Sequence, residues 1–129
     1  MLVVEDDRSC QILIQRMLSS LGYQVDIVAD ALNALERLEQ ITYDIVWLDI
    51  RLPRLDGFQA VRLIRERFPS TRCPYIVALT ANVYAIGERA FLQAGMDDYV
   101  SKPYQKEDLI EAVNLFTQKR QLPGMCQRR

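Results

Sequence analysis

Histidine is missing altogether from these 129 residues, and cysteine is scarce, with three. Without histidine the chain can build no His-based zinc site, no Ser-His-Asp triad and no phosphohistidine of its own. Cys10, Cys73 and Cys126 show no C-x-x-C spacing and are odd in number, so free reduced thiols are expected. No apolar run approaches the length of a membrane span, and Met1-Leu2-Val3-Val4-Glu5 is no signal peptide. No membrane insertion and a cytoplasmic location are therefore expected. An excess of charge of either sign is lacking too. Sixteen basic residues face 17 acidic ones, for a formal net charge of −1, which gives no reason to expect nucleic acid as a partner.

What is present is a regular alternation of short apolar runs and helical patterns, with half of all residues apolar. That suits one compact α/β domain. Leu2-Val3-Val4, Ile45-Val46-Trp47-Leu48, Tyr75-Ile76-Val77-Ala78-Leu79 and Tyr99-Val100 have the composition of buried strands in a parallel sheet. Gln24 to Ala29 alternates enough to supply a fifth strand. Between them, Ile12, Leu13, Met17, Leu18 and Leu21 fall at helical spacing, with Gly22 as a stop. Asp30 can cap a helix carrying Ala31, Leu35 and Leu38. Phe58, Val61, Leu63, Ile64 and Phe68 predict a third helix, ended by Pro69. A weaker fourth runs from about Tyr84 to Ala94, interrupted by Gly87 and closed by Gly95. Leu109, Ala112, Val113 and Phe116 form the stripe of a last helix. Leu52-Pro53-Arg54-Leu55-Asp56-Gly57 has the composition of a loop. Trp47 and Phe58 are assigned to packing.

The chemistry lies where the apolar runs end. Glu5 and Asp6 follow the first, Asp49 ends the second, Thr80 and Ala81 follow the third, and Lys102 lies two residues past the last. Ligands of such sheets bind outside the carboxyl ends of the strands, so residues from Glu5 to Lys102 would meet at one edge. Two carboxylates about 4 Å apart repel by roughly 4 kcal/mol at an effective dielectric near 20, so three together need protonation or a cation. An all-oxygen set favours Mg²⁺. A strand-end aspartate beside Mg²⁺ and a lysine can attack phosphorus and form an acyl phosphate, with metal and lysine neutralising the phosphoryl oxygens. Thr80 could donate to the same oxygens, while Ala81 would keep the approach open and offer an N–H. Against this stands a blander account, in which Glu5, Asp6 and Asp7 form a solvated turn capping the first helix; for Asp7 alone that account is preferred.

Four segments carry a resemblance. Leu2-Val3-Val4-Glu5-Asp6-Asp7, Leu48-Asp49-Ile50-Arg51-Leu52-Pro53-Arg54-Leu55-Asp56-Gly57, Ala78-Leu79-Thr80-Ala81-Asn82 and Ala94-Gly95-Met96-Asp97-Asp98-Tyr99-Val100-Ser101-Lys102-Pro103 resemble, in order and spacing, the receiver domain of two-component response regulators. The later motifs look most like receivers of hybrid sensor histidine kinases. The resemblance implies a flavodoxin-like (βα)₅ fold with strand order 2-1-3-4-5, spanning 1–118, and a basic tail or linker remnant over 119–129. It implies phosphorylation of Asp49, taken from a histidine kinase or histidine phosphotransfer protein. Mg²⁺ would be held by Asp6, Asp49 and the Arg51 backbone carbonyl, with Glu5 acting through water. Thr80 and Lys102 would contact the phosphoryl group, and Lys102-Pro103 would be cis, which the tertiary amide permits. Thr80 and Tyr99 would then move together, reshaping the face of helix 4, strand 5 and helix 5 for a downstream protein.

The chain would be a switch, assisting only its own phosphorylation and dephosphorylation. Three alternatives compete. A degenerate receiver would act as an unphosphorylated scaffold, against the intact Asp6, Asp49, Thr80 and Lys102. A flavodoxin-type flavin carrier would want a Ser/Thr/Gly-rich loop where Glu5-Asp6-Asp7 stands and would repel the flavin phosphate. An aspartyl phosphatase would want a second acid two residues after Asp49, where Arg51 stands. Two departures from the family pattern are noted. The first strand starts almost at Met1, which suggests a trimmed chain with a weakened sheet edge, and Arg51 sets a long cation beside the site.

Overall fold

The computed structural model describes residues 1–51, 56–68, 74–81 and 87–120. Five strands and five helices alternate among them: β1 (Leu2–Val4), α1 (Arg8–Ser20), β2 (Asp26–Val28), α2 (Ala31–Gln40), β3 (Ile45–Asp49), α3 (Gly57–Arg67), β4 (Tyr75–Thr80), α4 (Glu88–Gln93), β5 (Asp98–Ser101) and α5 (Lys106–Arg120). All strand pairs are parallel, in the order β2-β1-β3-β4-β5. This is the doubly wound arrangement that the motifs implied. β1 is short but lies inside the sheet, so its shortness does not weaken an edge; β2 is the edge strand on that side.

Alternation along the strands divides the core in two. Leu2, Val4, Val46, Leu48, Ile76 and Ala78 face α2, α3 and α4, while Val3, Ile45, Trp47, Tyr75, Val77 and Leu79 face α1 and α5. Trp47 is fully buried, and its indole N–H donates to Met1 Sδ at 3.5 Å. Burying side chains of this size contributes about 1.5–3 kcal/mol each, which is why runs that are apolar on both faces end up in the middle of the sheet.

The helices start and stop where local chemistry directs. Asp7, Asp30 and Asp56 are N-caps whose carboxylates accept from the N–H groups of Cys10, Asn33 and Gln59. Asp56 and Gln59 form a reciprocal capping box. At the end of α1, Gly22 adopts φ 94° while its N–H and that of Tyr23 close onto Ser19 and Leu18 carbonyls, a Schellman termination that needs a left-handed residue.

Several expectations are corrected. Leu18 of α1 is buried as expected and Met17 packs beside it, but Ile12 and Leu13 are 38% and 45% exposed, and Gln11 and Ile14 complete the buried side instead. β2 is shorter than Gln24–Ala29. Gly87, at φ 91°, stands immediately before α4, and residues 84–86 of the expected helix lie outside the described residues. α5 runs through Arg120, so Lys119 belongs to the helix and not to a tail from 119. It is tied down there by its ammonium, 3.4 Å from the Asp97 carbonyl and over the Tyr75 ring. Cys10 is a free thiol; Cys73, Cys126 and the 52–55 loop lie outside the described residues.

Candidate functional site

Parallel strands exit the sheet on the same side, and the residues that follow them converge. Glu5 succeeds β1, Asp49 is the last residue of β3, Thr80 the last of β4, and Lys102 follows β5. Every residue expected at the site, Tyr99 apart, lines one cavity of about 300 Å³, together with Asp7, Cys10 and Ile50. Tyr99 points elsewhere, towards α4, where it stacks on Phe91.

Glu5, Asp49 and Thr80 are buried, at 1%, 5% and 3% exposure, whereas Asp6 and Ala81 are exposed. One ammonium serves both buried carboxylates. Lys102 Nζ donates to Glu5 Oε1 at 3.1 Å and lies 3.4 Å from Asp49 Oδ2. The other oxygens take backbone donors: Asp7 N–H reaches Glu5 Oε2 at 3.2 Å, and Arg51 N–H reaches Asp49 Oδ1 at 3.1 Å. Lys102 is placed by its own N–H, which donates to the Thr80 carbonyl at 2.7 Å, and the Lys102–Pro103 peptide is cis, as expected.

Gly57 closes the far side of Asp49. Its N–H donates to the Ile50 carbonyl at 2.9 Å, and a Cβ there would lie 2.8 Å from Ile50 Cα and 3.0 Å from the Asp49 carbonyl oxygen. Only a residue without a side chain allows α3 to start so close to the strand end.

The charges do not balance. The Glu5 pKa is pushed up from an ordinary 4.5 to about 7, first by burial and then by hydrogen bonding to Asp49 and that residue's charge, against the lowering effects of Lys102 and the Asp7 N–H. On Lys102 burial opposes the charge, but the hydrogen bond to Glu5 and the carboxylates of Asp49 and Glu5 outweigh it and raise its pKa. Carboxylate oxygens of Glu5, Asp6 and Asp49 lie within 4.8 Å of one another. An oxygen-only trio with surplus negative charge is a donor set that fits a hard divalent cation. Asp7 keeps its blander role as helix cap.

One supporting residue was missed in the sequence. Gln11 is buried, and its Nε2 donates to the Glu5 carbonyl at 2.6 Å, while its Oε1 accepts from Arg8. The signal was available: Gln11 is polar yet shares a helical face with Ile14 and Leu18. Cys10, whose thiol pKa is raised chiefly by burial, also lines the cavity without any motif to announce it.

This fold and this convergence of acids, hydroxyl and lysine agree with the comparisons to known proteins. The model of the response regulator receiver domain matches residues 1–114, and the chain belongs to that family, a component of two-component signal transduction. It is similar to the crystal structure of the receiver domain of sensor histidine kinase PA1611 from Pseudomonas aeruginosa, with 41% identity over 91% of this chain and 95% of that one and a TM-score of 0.81. That domain holds a magnesium ion coordinated in its active site cleft. Hybrid signal transduction histidine kinase L of Dictyostelium discoideum is 37% identical over 89% of this chain and 7% of its own length. The transcriptional regulatory protein DltR of Streptococcus agalactiae is 35% identical over 95% of this chain and 53% of its own. The chain thus spans about half, or far less, of the length of these two relatives. Among the described residues no helix is long and apolar enough to cross a membrane.

Proposed function

We propose that the chain is a phosphoacceptor switch in which Asp49 takes a phosphoryl group from the phosphohistidine of a partner kinase or phosphotransfer protein. The observation that carries this reading is the placement of buried Asp49 within reach of a single lysine, beside Glu5, Asp6, Thr80 and Ala81, in an open cavity at the strand ends. Glu5, Asp6, Asp49 and the Arg51 carbonyl would hold Mg²⁺, which when bound supplies charge neutralisation to the phosphoryl oxygens.

The chain's own residues do the rest. One Asp49 oxygen forms the bond to phosphorus as the partner's P–N bond breaks and the imidazole departs with its electron pair. Lys102, already between Glu5 and Asp49, turns its ammonium to a phosphoryl oxygen, and the Thr80 hydroxyl donates to another. Ala81 leaves the entrance open. The acyl phosphate is later hydrolysed, so any catalysis concerns the domain's own phosphorylation and dephosphorylation. Exposed Ile12 and Leu13 on α1, within a turn of cavity-lining Cys10, offer the donor an apolar footing next to the entrance. Output would leave through the face of α4, β5 and α5, where a cavity of about 260 Å³ is edged by Asp98, Asp108 and Glu111.

Intact-mass spectrometry after incubation with Mg²⁺ and a small-molecule phosphodonor tests this. A single phosphoryl adduct is expected, absent without Mg²⁺ and absent in Asp49→Ala. Failure of folded protein to take up phosphate from that donor and from a range of histidine kinases would favour an unphosphorylated scaffold.

A further inference from the structure

We infer that Phe91 and Phe58 are positioning residues for Tyr99, tying the switch to the start of α3 as well as to Thr80; the inference rests on the phosphoacceptor reading above. Phe91 of α4 is fully buried, with its ring between two others. Phe58 of α3 stacks on it with a centroid separation of 5.7 Å and an interplanar angle of 16°, and Tyr99 of β5 stacks on it at 5.5 Å and 22°. Near-parallel rings at these separations attract beyond their shared apolar area. Three elements are thereby joined through one column of rings.

The outer ring is coupled to the acceptor strand. Phe58 directly follows Gly57, whose N–H is bonded to Ile50 and whose α-carbon region has no slack against Ile50 and the Asp49 carbonyl. A displacement at the end of β3 therefore carries the first turn of α3 with it, and with that turn the Phe58 ring. At the other end of the column, Tyr99 pairs with Ala78, two residues before Thr80. Tyr99 cannot turn away without leaving the Phe91 face, and the loss of one aromatic pair corresponds to a shift of about threefold to tenfold in a two-state equilibrium. Any apolar side chain at position 91 would serve the core; only a ring can hold Tyr99 in this orientation.

The test combines ¹³C-labelled tyrosine NMR with titration of Mg²⁺ and beryllium fluoride, a mimic of the acyl phosphate, on wild type, Phe91→Leu and Phe58→Leu. Expected are displaced Tyr99 ring resonances in both variants before any mimic is added. The half-saturating mimic concentration should shift threefold to tenfold for Phe91→Leu and less, in the same direction, for Phe58→Leu. A control, Ile14→Val, chosen to lower the Tm from the core on the other face of the sheet, should leave both readouts unmoved. If Phe91→Leu does not fold, half-buried Phe58→Leu carries the test. Variants with wild-type Tyr99 resonances and a midpoint within twofold would overturn the inference while a responsive wild type kept the phosphoacceptor reading. A wild type that binds the mimic with Tyr99 unmoved overturns the inference alone, and one that does not bind it overturns both.

Discussion

The two ends of the sheet each hold a cluster of charge, and they are built on opposite terms. Beneath the amino ends of β4 and β5, Arg65 donates to the Gly95 carbonyl, to the Pro74 carbonyl and to Asp97 Oδ2, the last at 2.8 Å. Asp97 Oδ2 also accepts from the Ile76 N–H. Here a cation faces an anion, and the guanidinium's bonds tie α3 to the α4–β5 turn and to β4. At the carboxyl end, Glu5 and Asp49 share the Lys102 ammonium, and Asp6 brings a third carboxylate within 4.8 Å of both. A satisfied cluster fastens elements together. An unsatisfied one is held in place by the fold and completed by something that binds, which is why the surplus charge marks the site and the Arg65 pair marks a joint.

The largest expected effect comes from breaking the joint. Arg65→Met should cost about 3 kcal/mol in urea unfolding, because Asp97 would be left partly buried without its partner. Asp49→Asn, at the other end, should instead raise the Tm of protein in a chelating buffer, since it removes one of the crowded negative charges and can retain the Arg51 N–H bond. Similar losses of stability in both variants would show that the two clusters are built on the same terms.

Second is a pH dependence to which the carboxyl end contributes through Glu5 and the amino end of β5 through Asp98. Glu5 titrates near 7 when folded and near 4.5 in its ordinary state, so ionising it is harder in the folded chain. Its contribution is therefore best below about 4.5, declines as the pH rises towards 7, and is flat above. The raised pKa of half-buried Asp98, mainly a burial effect, acts in the same direction. Calorimetry should show Mg²⁺ raising the Tm more at pH 8 than at pH 5; equal increments at the two pH values would argue against metal binding by these carboxylates.

The smallest expected effect concerns Arg51, whose exposed side chain lies at the cavity. Arg51→Asn should change the dephosphorylation rate by about threefold, less than 1 kcal/mol of barrier, through altered access of water, with little change in stability. An unchanged phosphoryl half-life would remove Arg51 from the account.

Much of this was readable in advance, for reasons that differ by residue. The strands could be found because a parallel sheet covered on both faces needs uninterrupted apolar runs, as in Ile45–Leu48 and Tyr75–Leu79. The helix starts at Asp7 and Asp30 were visible because capping is local chemistry, whereas Asp56 had been read only as part of a loop. The acids, Thr80 and Lys102 could be placed at one edge because parallel strands all deliver their ends to the same side. The side of α1 that turns inward was not legible. Ile12 and Leu13 are as apolar as Ile14 and Leu18, and only docking against the sheet selects Gln11, Ile14 and Leu18.

The sequence by itself thus determined the order of elements, the strand-end chemistry and the family, all of which rest on local composition and on spacing along the chain. Tertiary structure decided the quantities that depend on distance through space. These are the lysine shared by two buried carboxylates, the raised pKa of Glu5, the support of Gln11, and the column of rings from Phe58 to Tyr99. Coulomb energies, desolvation and ring stacking are set by separations of a few ångströms between residues far apart in the chain, and such separations exist only once the sheet has assembled.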